Sequence, residues 1–140
     1  MQSRFNKIYS GIRQCFLILP AAFLFTGCAK NDAFAELEDI SVQMNKTCPM
    51  VIDSGTRLDS TAAKEAPLTL VYYYTAITAN IDALPDNVEE VKVQLKQKAQ
   101  DNLDTNPAME TFKKGNVALT YDYRDKNGRH LFNYTVSPKK

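Results

Sequence analysis

The chain has 140 residues, with 17 Lys and Arg against 16 Asp and Glu, one His and three Cys. A formal net charge of +1 gives no electrostatic ground for nucleic acid as a partner. The five glycines leave little material for a phosphate-cradling loop, and no Gly-x-Ser-x-Gly elbow occurs. A lone histidine, His130, cannot make a clustered His/Cys metal site, so it reads as a surface residue and neither metal nor cofactor is expected.

The first 27 residues have the build of an export signal. Arg4, Lys7 and Arg13 give a basic start with no acidic residue, and Cys15 to Phe25 form an apolar run of eleven residues. That run is shorter than the ~20 residues needed to cross a hydrocarbon core. It ends Phe25-Thr26-Gly27-Cys28, which resembles a bacterial lipobox, with Phe25 in place of the usual leucine. The resemblance implies cleavage before Cys28, acylation of Cys28 and attachment of the chain to a membrane through that lipid. A single acyl chain anchors only marginally, at ~0.8 kcal/mol per buried methylene, so stable attachment takes two or more. In a Gram-negative cell, Ala29 rather than Asp after the cysteine implies the outer membrane, facing the periplasm. The expected domains are a signal at 1–27, a short acylated tether at 28–32 and one folded domain at 33–140.

Loss of Arg4, Lys7 and Arg13 turns an excess of one basic residue into an excess of two acidic ones. With Cys15 removed and Cys28 acylated, Cys48 stands alone and no disulfide within the chain is possible. In chain order, Phe34, Leu37, Ile40 and Met44 fall at helical spacing, and Pro49 stops the helix by Cys48. Cys48 to Asp53 reads as a short strand continuing the core, Ser54-Gly55 as a turn, and Thr56 to Asp59 as a second extended piece. Ser60 to Pro67 reads as a polar loop.

Leu68 to Thr78, rich in Val, Ile, Thr and Tyr, predicts the central strand, with apolar residues on both faces. Pro85-Asp86 opens a second helix, with Asp86 and Glu89 as a capping box. Its apolar stripe is Val88, Val91, Leu95, Ala99 and Leu103. Ala108 to Asn116 is a link with a helical turn at Met109 to Lys113. Asn127-Gly128 marks a hairpin with a two-residue turn, both positions tolerating positive φ. Partners whose numbers sum to 255 put Leu119, Tyr121, Tyr123, Phe132, Tyr134 and Val136 on one face and Thr120, Asp122, Asn133 and Thr135 on the other. The expected fold is α+β: an antiparallel sheet of about four strands, including the C-terminal hairpin, with two amphipathic helices on one face.

The candidate functional residues are Cys48, Asp53, Arg57 and Asp59. Cys48 reads as a small buried hydrophobe, as the site of a disulfide-linked dimer, or as a reactive thiol. Asp53, Arg57 and Asp59 read as a compact polar group around Ser54-Gly55, as an ion pair holding the turn or as a carboxylate pair for acid–base work. The tyrosines of the strong strand and of the hairpin offer stacking surface for a glycan or a partner protein, or simply pack the sheet. Asn45 to Asp59, followed by Val71-Tyr72-Tyr73-Tyr74 and a terminal Tyr-x-Tyr-Arg-Asp-x-x-Gly, resembles a signature of small exported bacterial proteins; the likeness implies no particular activity. The expected function is a non-enzymatic, membrane-anchored envelope lipoprotein that binds another envelope protein or acts as an inhibitor. The alternative is a small envelope hydrolase built around Asp53 or Cys48.

Overall fold

The structure, a computed structural model, describes residues 31–139. The expected signal, the acylated Cys28 and most of the tether lie outside the described residues. Helix α1 (Asn31–Asn45) is followed by strands β1 (Met50–Val51), β2 (Thr56–Lys64) and β3 (Thr69–Ala76), then helix α2 (Val88–Thr105). A short helix α3 (Glu110–Lys114) leads into strands β4 (Ala118–Arg124) and β5 (His130–Val136). The strands lie in one sheet in sequence order. The fold is α+β as the pattern predicts, but with five strands, and β3 and β4 run parallel. The reason is the connection: a parallel pair needs a crossover, and α2 supplies one where a hairpin turn could not.

Helix α1 packs over β2 and α2 over β5, on the same face of the sheet. The contents of that face follow from the registers. The lowest row is Ala63, Leu70, Leu119 and Val136, and the middle row Thr61, Tyr72, Tyr121 and Tyr134. Leu70 and Leu119 are fully buried beside Leu37 of α1 and Leu103 of α2. Each such leucine contributes ~1.5–3 kcal/mol by leaving water.

The expected loop at Ser60 to Pro67 is instead strand as far as Lys64. A bulge at Asp59 shifts the register, which turns Thr61 toward α1. There Asn45 donates Nδ2 to the Thr61 carbonyl at 2.9 Å and accepts the Thr61 N–H at 2.6 Å, while the hydroxyls of Ser41 and Thr61 lie 2.9 Å apart. Buried polar groups are thus paired across the helix–sheet contact. The expected capping box on α2 does not form. The helix starts two residues after Asp86, and its N-cap is Asn87, whose side chain makes no capping bond.

The 255 register holds from Leu119 with Val136 to Tyr123 with Phe132, then slips at a bulge so that Arg124 meets His130. The turn is correspondingly longer than two residues. Gly128 donates its N–H to the Asp125 carbonyl at 2.9 Å, and only Gly128, not Asn127, has positive φ, at 82°.

Candidate functional site

The uppermost row to cross the whole sheet is Met50, Leu58, Tyr74, Tyr123 and Phe132, one residue from each of the five strands. Leu58 is buried, but Tyr74, Tyr123 and Phe132 are only partly covered, and Met50 is 41% exposed. Ile52, two residues along from Met50, is 49% exposed. The sequence pattern made Met50 to Ile52 core; the structure corrects this. β1 is a two-residue edge strand, and α1 ends at Asn45, so no helix among the described residues lies over it.

The aromatic rings of the row and of the row below form one stack. Tyr74 and Tyr123 have ring centroids 5.1 Å apart, Tyr123 and Phe132 5.0 Å, and Tyr121 and Tyr134 5.0 Å. These separations are those of favourable aromatic pairs. Burial, and then the neighbouring phenols, push the Tyr121 hydroxyl up to about 12 and raise those of Tyr72, Tyr74 and Tyr134 further. All these phenols therefore stay protonated at physiological pH.

The four sequence candidates divide. Cys48 is half-buried against the core, and burial followed by the charge of Asp59 pushes its thiol up. Asp53 accepts the Gly55 N–H at 2.7 Å, and its charge acts on Tyr123. These two residues flank Met50 to Ile52 in the chain, at the β1 end of the row. Arg57 and Asp59 do not join Asp53. They pair with each other, and Asp59 accepts the hydroxyl of the buried Thr75, whose register position is on the opposite face of the sheet. The expected compact group of Asp53, Arg57 and Asp59 is therefore not formed, because Arg57 and Asp59 flank Leu58 on the opposite face of the sheet while Asp53 is held in the turn before β2.

A residue that spacing arguments passed over is Asp125, which is fully buried at the hairpin turn. Its Oδ1 accepts the N–H of Asn127 and Arg129, and its Oδ2 accepts the N–H of Ile81 and Nε of Arg129. Burial alone would raise this carboxyl; the donated hydrogen bonds outweigh it and hold it at about 2. Arg129 reaches on to Asp82 and Asn80, tying the hairpin to the segment before α2. The signal was present in the sequence as Asp at the first position of a turn and Gly at the fourth.

At the far end of the helix face, α1, α3, Leu68 and Val117 line a recess of about 30 Å³, room for about one water molecule.

A family model described as a domain of unknown function, DUF8479, matches residues 31–132. The chain belongs to that family. No curated protein is detectably similar in sequence. Among solved structures, the fold resembles a secreted protein of Pseudomonas aeruginosa with a TM-score of 0.61 at 12% identity, covering 80% of this chain and 95% of that one. It also resembles EpsS, a pilotin of the Vibrio vulnificus type 2 secretion system, with a TM-score of 0.59 at 8% identity and coverage of 77% and 90%. AspS, a pilotin of the Vibrio cholerae type II secretion system, has a TM-score of 0.56 at 14% identity and coverage of 77% and 91%. At these identities the likeness is one of fold.

Proposed function

We propose that this chain is an envelope lipoprotein, held to the membrane by acyl groups on Cys28, whose folded part binds another envelope protein without catalysing a reaction. The observation that carries this is the open row of Met50, Tyr74, Tyr123 and Phe132, with Ile52 beside it. Large aromatic and methionine side chains are what protein interfaces enrich at their centres, and here they sit where no helix among the described residues covers them. Two further points support it. The Phe25-to-Cys28 segment has the form of a lipidation signal, and two structures of the same fold are pilotins of secretion systems. By analogy the partner is a component of a secretion assembly, and the chain sits at the outer membrane facing the periplasm.

The test is photocrosslinking in intact cells from Ile52, with Asn133 on the other face of the sheet as control. One envelope protein captured from Ile52 and not from Asn133 is the expected result. Equal capture from both positions, or none from either, refutes the reading. Cys28→Ser should in parallel move the protein out of the membrane fraction; retention there refutes the anchor.

A further inference from the structure

We infer that the open end of the aromatic row receives a basic side chain, a lysine or arginine borne on an apolar stretch of the partner polypeptide. This deepens the proposed function and rests on it.

The geometry of the stack comes first. Tyr74, Tyr121, Tyr123 and Tyr134 stack on one another with ring centroids 5.0–6.3 Å apart, and Phe132 lies tilted against Tyr123 at 5.0 Å. The faces of the inner rings so engaged are not free to stack on a sugar or a nucleobase. Tyr74, Tyr123 and Phe132 are only partly covered, and a phenol oxygen is an acceptor as well as a donor.

The charges around it are the second point. The charge acting on the Tyr123 hydroxyl is that of Asp53, since the neighbouring phenols and the Cys48 thiol are neutral near pH 7. Asp53 is exposed and has no Lys or Arg partner among the described residues. The segment entering α2 at the same end adds Asp86, Glu89 and Glu90; Glu89 is ion-paired with Lys92 and Glu90 accepts a hydrogen bond from Gln94. Against these stand Lys46 at the end of α1, hydrogen-bonded to the neutral Gln43, and Lys126, whose backbone N–H bonds the Ala79 carbonyl; neither forms an ion pair with Asp53. An incoming ammonium or guanidinium would find a carboxylate and phenol oxygens as acceptors, and charge-assisted bonds of this kind are the strong ones.

Third, the exposed Met50 and Ile52 provide an apolar shelf for the aliphatic stem of such a side chain, which buries its methylenes while its head stays polar. An acidic segment would meet repulsion from Asp53 at the same place.

The test uses the lipidated full-length protein in neutral dodecyl maltoside micelles. It is titrated with acetyl-Leu-Lys-Leu-Leu-Lys-Leu-amide and with counterparts carrying Glu or Gln in place of Lys. The readout is the ring resonances of Tyr74, Tyr123 and Phe132. The Lys peptide should bind about tenfold more tightly than the Glu peptide, the worth of one charged hydrogen bond. That preference should collapse at about 0.5 M salt, shrink in Asp53→Asn and reverse in Asp53→Lys. An unchanged order in Asp53→Lys, equal or tighter binding of the Glu peptide, or ring shifts caused by maltoheptaose but not by the Lys peptide would overturn the inference. If crosslinking from Ile52 persists alongside such a result, only the basic-ligand inference falls. If the Lys preference holds while crosslinking fails, it is the envelope-partner reading that falls.

Discussion

Tyr134→Ala should separate the two faces of the sheet. Tyr134 is 6% exposed, and its ring lies 5.0 Å from Tyr121 and 6.1 Å from Tyr123. Truncating a buried aromatic to Ala costs ~3–5 kcal/mol, of which ~0.5–1.5 kcal/mol is lost stacking. For a domain of this size that corresponds to a fall in Tm on the order of 15 °C, out of a total stability of ~5–15 kcal/mol. Phe132→Ala, in the half-open upper row, should cost about half as much because part of the ring is already in water. Thr135→Ala, on the opposite face, loses only the 2.8 Å contact with the Thr120 hydroxyl, worth ~0.5–1.5 kcal/mol. Urea melts of the three variants give the order directly. Equal losses for Tyr134→Ala and Thr135→Ala would mean that both faces are core and that the assignment of one helix-covered face is wrong.

Asp125 supplies an acid-sensitive term. A carboxyl held at about 2 in the fold and near ~3.9 in the unfolded chain stabilises fully above ~4, and that stability is lost as pH falls from ~4 through ~2. Asp125→Asn should flatten this limb in urea melts taken from pH 5 to 2; an unchanged slope contradicts the assignment. Gly128→Ala meets no atom within 4 Å but holds φ at +82°, so it should cost ~1–2 kcal/mol from strain alone, and a smaller loss on melting would show the turn relaxing. Cys48, its thiol raised by burial, should react with Ellman's reagent about tenfold more slowly in the fold than in urea; equal rates would show it open.

The hairpin was legible because period 2 sorts Leu119, Tyr121 and Tyr123 from Thr120 and Asp122, and any one-residue slip buries the polar set. The bulge before Arg124 was not, since nothing in Arg124 to Leu131 forbids the regular register. Asp125 decides it by drawing the Asn127 and Arg129 N–H groups onto one oxygen. Strand β2 was half missed because its inward residues past the bulge, Thr61 and Ala63, are polar or small. Their partners are Asn45 and Leu70, distant in sequence. The parallel β3–β4 pair could have been read, as a long strand, an amphipathic helix and a second strand are the parts of a crossover unit. At the candidate site, Cys48 and Asp53 were singled out as residues, but their place at the end of the tyrosine row depends on which strand lies beside which. One-dimensional spacing does not carry that.

The open row follows from where α1 stops. Thr47 turns its hydroxyl back to the Met44 carbonyl at 2.8 Å, Cys48 closes a last turn on Asn45, and Pro49 has no N–H to continue. A further helical turn would advance ~5.4 Å, close to the ~6.8 Å that separates successive same-face rows of a sheet. One more turn of α1 would thus reach toward the Tyr74 row and its Met50 end, and the helix ends one turn short. Below that level the rows hold leucine, valine and buried tyrosine and account for stability. At that level the aromatic residues remain, although nothing among the described residues completes their burial. A surface that serves only to fold would end its apolar rows where its helices end. This one continues past them, across all five strands, which is the ground for proposing that the exposed part of the upper row binds a partner while the rows beneath hold the fold.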